Sequence, residues 1–160
     1  MIAKYNNNYY MYFDNKLVTY DKSKTDDKWT PEHDVFILEV NESNLQEIFN
    51  ISFFVYYDFK ISGIQNEWFV PMSSNRVTKD TVTIDYLNGV LDGWDSNNTN
   101  ECQKTIRFDE DIIGIKEVIT YSYRNNKKDS TIDTRFIDRD TFLKEYNAFY
   151  TLTRREEIKI

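Results

Sequence analysis

Few side chains in this sequence are equipped for chemistry. There is one histidine, His33, and one cysteine, Cys102. Zinc held by His and Cys needs about four such ligands, which the count rules out. A Cys–His nucleophile pair would require these two residues to meet across the fold, and nothing in the sequence argues for that. Glu32-His33-Asp34, following Trp29-Thr30-Pro31, offers carboxylates and an imidazole for acid–base or metal work. Three adjacent side chains on an extended loop diverge, however, so the plainer expectation is a solvated histidine.

Asp95-Ser96-Asn97-Asn98-Thr99-Asn100-Glu101 places oxygen donors at alternate positions, like the start of a calcium loop. The pattern fails where such a loop needs Gly and Glu, because Asn100 and Ile106 stand there. The four glycines, Gly63, Gly89, Gly93 and Gly114, form no phosphate-binding loop and no nucleophile elbow. The expectation is a protein with no catalytic residues, no metal and no cofactor. A carboxylate enzyme using a divalent metal stays as a minor alternative, because 27 acids supply many candidate pairs.

Binding is the stronger theme. Asp92-Gly93-Trp94-Asp95 sets a tryptophan between acids in a polar stretch, and from Asp80 to Glu101 there are five acids and no Lys or Arg. Tryptophan anchors dominate binding hot spots, and flanking acids suit a basic partner. Trp29, with Glu32 and Asp34 after it, repeats the arrangement in an earlier loop. The candidate partner-binding residues are therefore Asp92, Trp94, Asp95, Glu101, Trp29, Glu32 and Asp34. The plainer reading of Trp94 is that it folds back over one end of a sheet.

The net charge of −7 makes free nucleic acid a poor partner and a basic protein a better one. The function expected is a small, acidic, non-enzymatic inhibitor of a basic protein such as a nuclease: an immunity protein, an antitoxin or a phage-type inhibitor. The alternative is a small-ligand or carbohydrate-binding barrel in which Tyr10, Tyr12, Tyr56 or Tyr86 lines a mouth. No apolar run is long enough to span a bilayer, and the N-terminus lacks the pattern of a secretory signal. A lone cysteine forms no internal disulfide, so the expected compartment is the cytoplasm.

The elements that must position these residues are mainly strands. Twelve Tyr, eleven Phe and three Trp in 160 residues favour pleated surfaces. Residues 9–13 and 17–20 flank Asp14-Asn15-Lys16 as a hairpin, and 21–34 reads as an exposed loop. Val35 to Val40 reads as a central strand buried on both faces. Ser43 and Gln46 have capping-box spacing and predict a short helix near 43–50. Alternation from Phe53 to Ile61 predicts a long strand, and further strands are expected at 67–70, 82–86 and 106–108. Asn88-Gly89 signals a tight turn after the strand at 82–86. Ile115, Ile119, Tyr121 and Tyr123 face one way in a strand whose partner carries Ile132, Thr134 and Phe136, with Asn125-Asn126-Lys127-Lys128 at the tip. Asp140 is the expected cap of an amphipathic helix near 140–153, with Phe142, Tyr146, Phe149 and Tyr150 on its apolar side.

The fold class expected is α+β, a single domain over 1–160. It holds eight or nine short, mainly antiparallel strands, open or partly closed, with the two helices.

Overall fold

The computed structural model describes residues 1–57, 68–69, 76–86, 89, 93–96, 101–109, 112–153 and 156–160. Within them, asparagine-rich pairs turn the chain. Asn6-Asn7, Asp14-Asn15 and Asn125-Asn126 all have φ between 48° and 62°, and each joins two paired strands through two residues. These are type I′ hairpin turns, whose twist matches that of strands and whose left-handed backbone Asn and Asp tolerate better than other non-glycine residues.

The result is mostly antiparallel sheet with one short C-terminal helix. Twelve strands are described: β1 Ile2–Tyr5, β2 Asn8–Phe13, β3 Lys16–Thr19, β4 Thr30–Glu32, β5 Val35–Glu39, β6 Glu47–Tyr57, β7 Trp68–Phe69, β8 Thr81–Tyr86, β9 Cys102–Arg107, β10 Ile112–Arg124, β11 Lys127–Lys128 and β12 Ile132–Ile137. The helix α1 spans Arg139–Phe149, and Tyr150–Thr153 continues it as a 3-10 turn. The chain divides into two compact units. One comprises Met1–Ile51, Ile119–Asp133 and Ala148–Arg155, the other Ser52–Val118, Thr134–Asn147 and Glu156–Ile160.

In the first unit the strands run in the order β11-β10-β6-β1-β2-β3-β5-β4. Alternation along β2 and β3 buries Tyr10, Tyr12 and Leu17, which cluster with Ala3, Trp29, Leu45, Ile48 and Tyr123. Elsewhere in this unit Phe49, Tyr121, Tyr9 and Phe149 form an aromatic group, with Phe149 edge-on to Tyr9 at 5.1 Å and to Phe49 at 5.6 Å. In the second unit β7 pairs with β6, while β8 and β9 form their own two-stranded sheet. Phe142 and Leu143 of α1 are fully buried there, with Phe142 4.9 Å from Phe53 and 5.7 Å from Phe108.

Several local expectations are corrected. No helix forms near 43–50: Glu42–Asn44 is a single 3-10 turn without a side-chain cap, and β6 begins at Glu47. Pairing of Ile2 with Phe49 and of Ala3 with Ile48 satisfies the backbone across β1 instead. Gln46, the residue expected to close a capping box, exchanges two hydrogen bonds with Asn7 on the neighbouring turn. β5 is half-buried and lies next to the end strand β4, so it is not central. The 21–34 loop is shorter than expected because Thr30–Glu32 pairs with β5. The cap of α1 is Asp138, whose carboxylate accepts the Thr141 N–H at 2.7 Å, two residues before the expected Asp140. Ile132, Thr134 and Phe136 are exposed, although their spacing suggested a buried face. The expected strand end at Phe59 and Ile61, Asn88 of the Asn88-Gly89 turn, and most of the calcium-like segment lie outside the described residues.

Candidate functional site

Alternation along the β8–β9 hairpin gives it two unlike faces. The register pairs Val82 with Ile106 and Tyr86 with Cys102, all buried. On the other face Thr81, Thr83 and Asp85 stand opposite Arg107, Thr105 and Gln103. Thr83 and Thr105 share a hydroxyl hydrogen bond of 2.8 Å, and the Arg76 guanidinium donates to the Gln103 side-chain carbonyl. The polar side forms an open groove of about 390 Å3, lined among others by Arg76, Thr83, Asp95, Gln103 and Lys104. Burial pushes the Asp85 carboxyl above its ordinary value, a rise that Arg76 opposes and Glu101 reinforces. Arg76 is a base that folding brings beside the acid-only stretch, where it opposes the rise at Asp85.

The acid-flanked tryptophan sits at the end of the same hairpin. Asp95 and Gln103 exchange backbone hydrogen bonds of 2.9 and 2.7 Å, and the Ser96 hydroxyl donates to the Glu101 carbonyl at 2.9 Å. These bonds tie the two ends of the 96–101 connection together. Gly93 preceding it has φ +80°, a conformation L side chains rarely adopt. Trp94 is half-buried and meets Tyr86 edge-to-face at 6.5 Å, while Asp95 and Glu101 are exposed. Asp92 lies outside the described residues.

The earlier tryptophan has a different position. Trp29 is 8% exposed and packs on Tyr10 at 5.1 Å, so its ring belongs to the core of the first unit and is no surface anchor. Its polar neighbours had suggested exposure, but the β4–β5 pairing folds the ring inward. Glu32 and Asp34 are exposed on either side of His33, whose φ of 53° places it in the two-residue turn between β4 and β5. His33 belongs to the first unit and Cys102, 1% exposed, to the second. Among the described residues no group of three or more His, Cys, Asp or Glu could hold a metal. Tyr10, Tyr12 and Tyr86 are buried. The Tyr10 hydroxyl donates to the Lys24 carbonyl at 3.0 Å and that of Tyr12 to Asn15 at 3.1 Å.

Sequence reasoning missed one charged cluster. Glu117 of β10 is 1% exposed, and the Arg135 guanidinium of β12 reaches both its oxygens, at 2.7 and 3.4 Å. The same guanidinium bonds Glu145 of α1 at 2.6 Å. Burial, then the hydrogen bond and charge of Glu117, push the Glu145 carboxyl up to about 7 despite Arg135. Beside a second carboxylate and out of water, Glu145 keeps its proton to a higher pH than an isolated glutamate does. With Glu117 closed off by Arg135, the cluster fastens α1 to β10 and β12. The signal was available in the alternation, because Glu117 falls on the same face as Ile115, Ile119, Tyr121 and Tyr123, where an acid must find a partner.

Compared with protein-family models, curated proteins and solved structures, the chain matches none. No helix among the described residues is long and apolar enough to cross a membrane.

Proposed function

We propose that the protein is a non-enzymatic, acidic binding protein of the cytoplasm that neutralises a basic protein partner such as a nuclease, in the manner of an immunity protein, antitoxin or phage-type inhibitor. The observation that carries this reading is the half-buried Trp94, seated on Tyr86, with exposed Asp95 and Glu101 beside it on a connection tied at both ends. A stiff aromatic surface held in place loses little freedom on binding, which is what an anchor requires. Exposed acids next to it, on a chain of net charge −7, steer a positive surface toward the same place. The proposed contact set is Trp94, Asp95 and Glu101, with Asp92 next to them in the sequence, whereas Trp29 packs in the core of the first unit. Glu32 and Asp34 make a separate acidic turn in the other unit.

The test begins with affinity capture from native cell extract at low and high salt, using the protein as bait. Association of the captured partner is then measured against Trp94→Ala and the double variant Asp95→Lys, Glu101→Lys. The proposal expects a stoichiometric basic protein. It expects an association rate roughly tenfold lower at low salt for the charge-reversed variant, and a faster dissociation for Trp94→Ala. Binding that none of these substitutions alters would remove the site, and a partner that is not basic would remove the mechanism.

A further inference from the structure

The polar face of the β8–β9 hairpin is wider than its two strands. Val77 bridges the buried Val82, which turns its neighbours Arg76 and Thr78 to the groove side, and Asp95 bridges Gln103 along the other edge. Asp85, Gln103 and Asp95 therefore form one cross-strand row, with Thr83 and Thr105 forming the next. All of these residues belong to the second unit.

The hydrogen bonds along this face leave donors and an acceptor unmatched. The Thr78 hydroxyl oxygen accepts the N–H groups of Asp80 at 3.2 Å and Thr81 at 3.0 Å, so its own proton goes to the Thr81 hydroxyl at 2.8 Å. The Thr81 proton then has no acceptor among the described residues. Of Thr83 and Thr105 only one can donate to the other, which leaves a second hydroxyl proton over, although Thr83 is 6% exposed. The Gln103 side-chain oxygen accepts from Arg76, and its NH2 group has no acceptor among the described residues. The Asp95 carboxylate lines the same groove without a side-chain partner among the described residues.

We propose that this groove binds a neutral monosaccharide. Its volume of about 390 Å3 is in the range of small-ligand sites. An anion entering it meets Asp95 and Asp85, and a cation meets Arg76 and Lys104, so neither sign of charge is matched throughout. A sugar hydroxyl accepts and donates at once. It can take the protons offered by Thr81, the Thr83–Thr105 pair and Gln103 while giving its own to Asp95. The threonine methyl groups between these donors suit the C–H faces of a pyranose ring. Because the hydroxyls and Gln103 are already held by their neighbours, little side-chain freedom is lost when the sugar arrives.

The test is a titration of the protein with D-glucose, D-galactose, D-mannose and N-acetyl-D-glucosamine, followed through the backbone amide signals in nitrogen–proton NMR spectra. At least one sugar is expected to bind saturably and to move the amides of Thr81, Thr83, Gln103 and Thr105. Thr105→Val removes a hydroxyl at an exposed position while keeping the side-chain shape, and Asp95→Ala removes the acceptor. Each is expected to raise Kd about three- to tenfold, the effect of losing one hydrogen bond, and Thr105→Ser to bind as wild type does. The proposal is overturned if none of the four sugars binds, if the signals that move lie outside this face, or if Thr105→Val and Asp95→Ala both bind like wild type. Tighter binding of inorganic phosphate or of methylguanidinium at the same amides overturns the neutral class of ligand. No partner protein enters the measurement, so its failure leaves the proposed partner contact at Trp94, Asp95 and Glu101 standing.

Discussion

Replacing Glu145 by glutamine gives a sharp test of the buried cluster, because the amide imitates the protonated acid in shape and in its capacity to donate a hydrogen bond. A glutamate ordinarily titrates near 4.5, and Glu145 in the folded protein is pushed up to about 7. The folded state therefore holds a proton that the unfolded chain releases between those two values. The associated stability is complete below about 4.5 and is lost as pH rises through about 7. At about 1.4 kcal/mol per pH unit the gap corresponds to roughly 3 kcal/mol. Solvent reaches the Glu145 side chain, which is 21% exposed, and screening reduces the expectation to about 1–2 kcal/mol. Urea unfolding followed by tryptophan fluorescence at pH 5, 6, 7 and 8 should show Glu145→Gln near wild type at pH 5 and more stable by about 1–2 kcal/mol at pH 8. The difference between the two proteins isolates this carboxyl from all others that titrate. If the substitution instead destabilised the protein more at pH 8 than at pH 5, Glu145 would be a fully ionised partner of Arg135, and the account of its raised carboxyl would be wrong.

Two further substitutions probe the rest of the fold. Phe142→Ala empties a fully buried position that touches Phe53, Phe108 and Tyr146. Urea titration should find a loss of roughly 3–5 kcal/mol, and a loss under 1 kcal/mol would show that α1 is not anchored through this ring. Asn126→Gly places the residue best suited to φ +61° in the β10–β11 turn. The melting temperature should rise by an amount corresponding to a few tenths of a kcal/mol, whereas a fall would contradict the type I′ geometry.

The turns and strands were readable where the information is local. The hairpin positions were legible, but the connections read as Asp14-Asn15-Lys16 and Asn125-Asn126-Lys127-Lys128 are two-residue turns, since Lys16 opens β3 and Lys127–Lys128 form β11; the left-handed backbone of the turn residues is one that asparagine and aspartate tolerate. The α1 stripe was readable for the same reason, since the 3.6-residue period brings Phe142 and Tyr146 to one side. The segment 43–50 was misread because the capping spacing of Ser43 and Gln46 describes only a preference. The backbone partners of Ile48 and Phe49 are on β1, more than 40 residues away. Trp29 was misread because local polarity outweighed a contact with Tyr10 that only the β2–β3–β5–β4 order creates.

The same distinction separates the parts of the candidate site. Trp94 between acids is a local pattern, and the hairpin that carries it leaves Asp95 and Glu101 exposed as their sequence context implied. Arg76, 19 residues before Asp95, enters that environment, where its guanidinium bonds Gln103. Its charge lies on the groove face of the hairpin, where it opposes the rise at Asp85. On the proposed reading, a basic partner meets Asp95 and Glu101 at a groove that Asp95 itself lines and in which Arg76 opposes the rise at Asp85. That arrangement is why charge reversal at Asp95 and Glu101 is expected to slow association more than neutralising the half-buried Asp85.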